Sequence, residues 1–376
     1  MIEKEVAELR RRFRVEKSNI THVLGCYVNE KKEIISQFNQ SLALMSQEET
    51  EKMLTLLRKT LSGTMGKNLL DISFDTRQVI DDDAHKLLMT LRDSALRDPD
   101  AVEQFFQRLI QAIEMEGNYM VLLACDAYDV PHRGKDGEID REQSSGVFQY
   151  ILCCVCPVKM TKPALSYSAH ENAFHNLDID WVVSAPEAGF LFPAFDDRCT
   201  NLYNALYYTK DIGKIHPELI QAAFHTEPPM PAAAQMEIFK DILEDTLDDG
   251  CSYEMVQAVN EHLRTVVEAN AANKDEPPMT VGKTDVTRVL HTNGATEEQV
   301  EAFEERYDHV FGADAGLSPR NLVNTKQLEI RTPDVTVRVN PERSDLVETR
   351  IIDGARYILI RAEDGIEVDG VQVHIS

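Results

Sequence analysis

The sequence predicts an α+β protein with a mixed N-terminal α/β module, an acidic helical middle region and a C-terminal antiparallel β-meander. Three observations lead there. Two apolar runs, 119–125 (YMVLLAC) and 148–157 (FQYILCCVCP), have strand length and too little polar alternation for one wet face. Apolar stripes at helical spacing recur along the chain, as in Met53, Leu54, Leu57, Leu61 and again in Val256, Val259, Leu263. From Gln327 the period changes to two, with Val335, Val337 and Val339 alternating with Thr336 and Arg338.

The elements follow in order. Val6, Leu9 and Phe13 make a helical stripe near the start. Residues 22–28 and 33–38 flank Asn29-Glu30-Lys31-Lys32 and read as a hairpin. Ser46-Gln47-Glu48-Glu49 is a capping box that opens a helix. Residues 69–74 (LLDISF) read as a strand, and helices are expected at 82–96 and 100–115, the second entered through Pro99-Asp100. The two apolar strands come next, joined by residues 179–184 (IDWVVS) in the same sheet and by a fourth strand at 190–195. The aromatic stretch 201–208 (NLYNALYY) fits helix or strand; helix is the favoured reading, capped by Asp197 or Thr200.

Three prolines in Pro228-Pro229-Met230-Pro231 end the first module, because proline continues neither a helix nor a central strand. Helices are expected at 232–247 and 253–270, then a polar linker at 270–279. A helical hairpin follows over 285–311, its second helix opened by the capping box Thr296-Glu297-Glu298-Gln299, and Ser318-Pro319 starts a short last helix. Asp353-Gly354 between two apolar stretches is the strongest hairpin signal of the tail. The segmentation is therefore 1–227, 228–275, 276–326 and 327–376, the last a meander of four to six strands.

Composition narrows the functional classes. A net charge of −25 argues against nucleic acid and against an anionic membrane surface, since both need clustered cations. Residues 235–323 hold 19 acidic against seven basic side chains. Glu3, Glu5 and Glu8 interrupt the start, so no export signal is expected, and no run has the length of a membrane span. Seven cysteines, three of them in the apolar run at Cys153, Cys154 and Cys156, suit reduced buried thiols in a cytoplasmic protein.

No segment carries a complete catalytic signature. Gly63-Thr64-Met65-Gly66-Lys67 has two residues between its glycines where a phosphate loop has four, and Gly282-Lys283-Thr284 has Pro277 at the first glycine position. His170-Glu171-Asn172-Ala173-Phe174-His175 is one residue longer than a zinc helix; on a helix its histidines stand about 140° apart. In a strand Cys154 and Cys156 point one way and Cys153 the other, so no thiolate cluster forms there unless Cys125 and Cys199 complete it. No metal and no cofactor are expected. The acids of 297–308 reject a DNA backbone and make the 285–311 hairpin a protein-docking element.

The ligand-binding candidates lie elsewhere. Residues 131–146 join two apolar strands through a long polar loop with His132, Arg133 and Lys135 at one end and Asp126 and Asp129 beside it. Asp196, Asp197, Arg198 and Asn201 pack two acids, a guanidinium and an amide between apolar runs. A pocket would draw on these two groups; a helix cap with an internal ion pair explains the second equally well. Five arginines of the tail, Arg331, Arg338, Arg350, Arg356 and Arg361, alternate with acids on a mixed solvated face.

Four stretches carry a resemblance: LGCYVNEKKEIISQF (24–38), CDAYDVPHRGKDG (125–137), FPAFDDRCTNLYNALYYTKD (192–211) and NPERSDLVETRIIDG (340–354). Together they resemble an uncharacterised family of Gram-positive bacterial proteins, of the domain-of-unknown-function kind. The resemblance runs almost end to end. It implies a bacterial cytosolic protein and lends no activity, cofactor or catalytic residue. The expected function is non-enzymatic binding of a protein partner through 235–326 or 327–376. The alternatives are an enzyme or anion-binding protein with a pocket near Asp126, His132, Arg133, Asp197 and Arg198, and an RNA- or translation-associated factor using Arg10 to Arg14 with the 131–146 loop.

Overall fold

A computed structural model divides the chain into two compact units, residues 1–234 and residues 235–272 together with 279–376. It describes residues 1–133, 139–161, 164–177, 180–272, 279–362, 366–368 and 371–373, some of them, such as His132 and Arg133, by backbone alone.

In the first unit α1 (Glu3–Arg10) precedes the hairpin of β1 (His22–Val28) and β2 (Ile34–Ser41). Next comes α2 (Gln47–Arg58). Its box closes as the sequence announces: Glu49 N donates to Ser46 Oγ at 3.2 Å and Ser46 N to the Glu49 carboxylate at 2.8 Å. Then come β3 (Leu69–Ser73), α3 (Thr76–Asp81), α4 (Asp83–Asp93) and α5 (Pro99–Ala112). Two long strands, β4 (Tyr119–Arg133) and β5 (Ile139–Met160), lead to the small hairpin of β6 (Ala164–Ser168) and β7 (Ala173–Leu177). β8 (Trp181–Val183), β9 (Ala188–Phe192), β10 (Ala194–Asp196), β11 (Cys199–Asn201), β12 (Asn204–Thr209) and α6 (Pro217–Phe224) complete the unit.

Seven strands form one antiparallel sheet in the order β2-β1-β4-β5-β9-β12-β3, and β8 adds to the end of β5. The expected strand at 179–184 joins it as β8, and the one at 190–195 joins as far as Phe192 through β9; residues 194–196 pair with β11 in a separate small sheet. Alternation sorts its side chains into two cores. Val121, Leu123, Ile151, Cys153, Val155, Phe190 and Tyr207 pack with the buried faces of α4, α5 and α6. Leu122, Ala124, Tyr150, Leu152, Cys154, Cys156, Leu191 and Leu206 pack with Val6, Leu9, Leu54 and Leu57 of α1 and α2. The apolar runs lack alternation because helices cover both faces of the sheet.

Two readings need correction. Residues 201–208 are not a helix: β12 runs from Asn204, between β9 and β3. Ala205 and Tyr207 enter one core while Leu206 and Tyr208 enter the other. Four consecutive buried side chains need two opposed apolar layers, which a strand meets and a one-sided helix does not. The caps assigned to that helix fall with it; Asp197 and Arg198, at φ 48° and 58°, turn the β10–β11 hairpin. The polar loop 131–146 is also shorter than expected. The β4–β5 ladder continues through Pro131↔Ser144 to Arg133↔Ile139.

In the second unit α7 (Ala232–Leu247), α8 (Tyr253–Ala272), α9 (Lys283–Thr292) and α10 (Glu297–Phe311) match the expected helices, α7 beginning at the end of the first unit. They surround Phe239, Leu243, Val259, Leu263, Leu290 and Phe303. Most of the expected linker at 270–279 lies outside the described residues. Among the described residues the tail supplies six strands in three antiparallel pairs: β13 (Leu328–Arg331) with β14 (Thr336–Val339), β15 (Val347–Ile352) with β16 (Ala355–Ile360), and β17 (Ile366–Val368) with β18 (Val371–Val373). Asp353 and Gly354 sit at φ 50° and 82° and make the β15–β16 turn that the sequence signals. No described helix is long and apolar enough to cross a membrane.

Gly189 of β9 tests the closeness of the sheet to its cover. A Cβ there would stand 2.3 Å from the carbonyl oxygen of Cys153 and 2.7 Å from Thr60 Cγ2. Gly189→Ala should cost about 1–3 kcal/mol in urea unfolding. Gly213→Ala, whose nearest atom is a carboxylate oxygen of Asp211 at 3.5 Å, an ordinary contact, should stay within about 0.5 kcal/mol of the parent.

Candidate functional site

Of the nine predicted ligand-binding residues, Asp126 and Arg198 enter one polar network, and the structure shows what they hold. Asp126, on β4, is 2% exposed. Its carboxylate accepts from Tyr150 Oη at 2.9 Å, from Asn19 N at 3.1 Å and from Arg12 Nε at 3.4 Å. The Arg12 guanidinium lies over the Tyr128 ring, 4.5 Å from its centroid. Tyr128 Oη donates to Glu8 at 2.6 Å, and Arg198 Nη1 donates to the other Glu8 oxygen at 2.8 Å. Arg198 Nη2 donates to the carbonyl of Pro131 at 2.8 Å.

The network binds the N-terminal segment to β4, β5 and the β10–β11 turn. Burial and then the Asp126 carboxylate push the Tyr150 hydroxyl well above its ordinary pKa. Burial and the bond to Glu8 push Tyr128 up to about 12. Both phenols therefore remain donors at neutral pH. Asp126 also borders a polar cleft of about 790 Å³, lined too by Asn19, Arg97, Glu103 and Gln149. Its carboxylate has three donors within the protein, so the network acts as a structural clamp.

The remaining candidates do different work. Asp196 accepts from Asn201 Nδ2 at 2.6 Å and stands 2.6 Å from the α-amino nitrogen of Met1. Asn201 Oδ1 accepts from Tyr203 N at 3.0 Å and so shapes the turn into β12. Asp197 is exposed at the hairpin tip, and Asp129 is exposed on β4. His132 and Arg133 continue β4 opposite Asp140 and Ile139. Their side chains, and the whole of Lys135, lie outside the described residues.

Glu8, Arg12, Tyr128 and Tyr150 are the members that sequence reasoning missed. Arg12 reads there as part of a basic arm, yet its partner is 114 positions away. The other motifs resolve into packing and turns. Cys153 faces one core, Cys154 and Cys156 the other, and Cys199 is exposed on β11. His175 Nε2, on β7, pairs with Glu171 of the β6–β7 turn at 2.6 Å. Gly282 caps α9 and Lys283 pairs with Asp308 of α10.

The tail presents a different kind of surface. Val347 is buried at the root of the β15–β16 hairpin, Thr349 Oγ1 donates to Glu254 of α8 at 2.9 Å, and Arg361 Nη2 reaches Asp345 at 3.0 Å. On the same hairpin Ile351, Ile352, Tyr357, Ile358 and Ile360 are all exposed, Ile351 to 75% and Ile360, the partner of Val347, to 56%. Among the described residues neither outer edge of the hairpin pairs with another strand.

Removing one partner of the clamp should be expensive. Asp126→Ala leaves the Arg12 charge without its carboxylate and should cost about 3–5 kcal/mol in unfolding free energy; Asp197→Ala, at an exposed tip, should change it by less than about 1 kcal/mol. Thiol chemistry gives a separate check. Burial pushes Cys154 up from 9.0 to about 12, partly offset by its contact with Thr60. Stability from keeping this thiol neutral is complete below about pH 9 and is lost as pH rises towards 12. In the folded chain a thiol reagent near neutral pH should label Cys199 readily, and Cys153, Cys154 and Cys156 only as the protein unfolds.

A comparison with curated proteins gives no match. Among protein-family models, the one described as Domain of unknown function (DUF4317) matches residues 1–371. That span takes in the sheet, its helical layers, the clamp and the exposed hairpin together. The chain therefore belongs to the DUF4317 family.

Proposed function

We propose that this protein is a binding protein acting through protein–protein contacts, with the β15–β16 hairpin as its principal contact surface. The observation that carries the reading is the exposure of five large apolar side chains on one hairpin whose base is anchored. An isolated two-stranded ribbon is marginally stable in water, and apolar patches of this kind mark interaction sites. The fitting partner offers an extended segment that pairs with a free strand edge and brings apolar side chains to Ile351 and Ile360. Acidic residues beside them would suit Arg350 and Arg356. A cytoplasmic setting agrees with this reading, because Cys26, Cys153, Cys154 and Cys156 serve as buried packing groups, a use of free thiols that a reducing compartment permits.

The test is site-specific photocrosslinking in living cells. A photoreactive amino acid at Tyr357 should trap a discrete adduct, and Ile351→Glu in the same chain should abolish it. The same probe at Leu44, which is 84% exposed in the other unit, should trap nothing comparable. Equal labelling at both positions, or no adduct at Tyr357, would overturn the proposal.

A further inference from the structure

The first unit contains a second cleft, whose lining shares no residue with the clamp. It has a volume of about 990 Å³, at the upper end of the range for small-molecule sites. Ile113 and Met115 beyond α5 form one wall, Tyr119 at the start of β4 another, and Ile215 and His216 before α6 a third. The proline segment 228–231 closes the fourth side. The walls are largely apolar, as ligand sites are.

The loop before α6 is fixed without any ligand. Tyr207 Oη donates to the carbonyl of Ile215 at 2.8 Å, and Thr209 Oγ1 reaches the carbonyls of Asp211 and Lys214 at 2.9 and 2.8 Å. Lys32 Nζ donates to the carbonyl of Gln111 at 3.0 Å and fixes the opposite lip. His216 is 4% exposed and pairs through Nδ1 with Glu218 at 3.2 Å. A cleft with fixed walls spends little on ordering when it is filled.

Tyr119 points to a ligand. Its side chain is 1% exposed, and its hydroxyl has no hydrogen-bond partner among the described residues. Arg12 Nη2 and His85 Nδ1 are also buried without partners, but another nitrogen of each side chain is bonded. The Tyr253 hydroxyl in the other unit is unmatched as well; what sets Tyr119 apart is that it also lines this cleft. A buried hydroxyl left unmatched is costly, and a polar group brought by a ligand would relieve that cost.

The mouth narrows the class of ligand. Glu30, Glu114, Glu116 and Glu218 face Lys32 and Lys214, so acids outnumber lysines four to two. A carboxylate or phosphate would enter against that balance, whereas a neutral or cationic molecule would not. We infer that this cleft is a binding site for a small neutral or cationic molecule with an apolar ring, whose hydrogen-bonding oxygen or nitrogen meets the Tyr119 hydroxyl.

The test uses the full chain and three fluorinated probes that share one ring: 3-(4-fluorophenyl)propan-1-ol, the matching propylamine and the matching propanoate. Binding is read from ¹⁹F line broadening. The alcohol and the amine should bind with a dissociation constant of about 1 mM or tighter, and the propanoate more weakly. Tyr119→Phe should weaken the alcohol roughly two- to tenfold while raising the apo melting temperature, since it removes an unmatched hydroxyl. Met115→Trp should narrow the cleft on one side and weaken binding of the alcohol and the amine while circular dichroism shows the fold retained. The inference fails if no probe broadens, if a folded Met115→Trp binds the probes as the parent does, if the propanoate binds best, or if Tyr119→Phe lowers the apo melting temperature.

Discussion

The central strands β4 and β5 have no wet face, and the architecture of the first unit depends on that constraint. A strand buried on one side needs one apolar layer. Strands carrying Val121, Leu123, Cys153 and Val155 on one side and Leu122, Ala124, Leu152 and Cys154 on the other need two. Helices must then be recruited from separate stretches of the unit's sequence. The N-terminal helices α1 and α2 cover one face, while α4 and α5, drawn from between β3 and β4, join α6 on the other. The clearance is small enough that β9 passes β5 with a glycine opposite a backbone carbonyl.

Two-sided burial also sets a problem for polar groups near the sheet, and the Asp126 clamp answers it. A carboxylate 2% exposed is unfavourable unless each oxygen finds donors. Asp126 finds a phenol, a backbone amide and a guanidinium, and the guanidinium is further held against an aromatic face. An apolar cluster of similar volume would give comparable stability, so stability alone does not account for charges here. What the ions add is geometry. Asp126 must meet Arg12, and Glu8 must meet both Tyr128 and Arg198, which fixes where the N-terminal segment lies on the sheet.

Local signals in the sequence located most elements correctly. Ser46 and Glu49 lie three residues apart, Asp353 and Gly354 are adjacent, and the runs at 119–125 and 148–157 are continuous. Each is a short-range feature with a short-range cause. The misread stretch at 201–208 failed because aromatic residues fit helix and strand alike; only the positions of β3 and β9 decide between them. The clamp was half legible. Asp126 and Arg198 stand out as polar residues beside apolar runs, but their partners come from 114 and 190 positions away, and no spacing rule links them. The unmatched hydroxyl of Tyr119 was invisible for the same reason. An apolar strand opening with tyrosine looks the same whether or not its hydroxyl finds a partner.

The two proposed contact surfaces differ in the physics available to them. In the cleft the walls are fixed by bonds that exist without a ligand, and discrimination rests on one unmatched hydroxyl and a charge imbalance at the mouth. Such a site selects by shape and tolerates little rearrangement. The β15–β16 hairpin is fastened only at its root and has two unpaired edges among the described residues. Most of the order it gains on binding must come from the partner's strand, so specificity there follows from register and side-chain alternation. A rigid cleft suits a small molecule, and an exposed ribbon suits an extended chain. The first unit, with its polar groups largely satisfied around a doubly covered sheet, supplies the former; the second, with three antiparallel strand pairs among the described residues of its tail, supplies the latter.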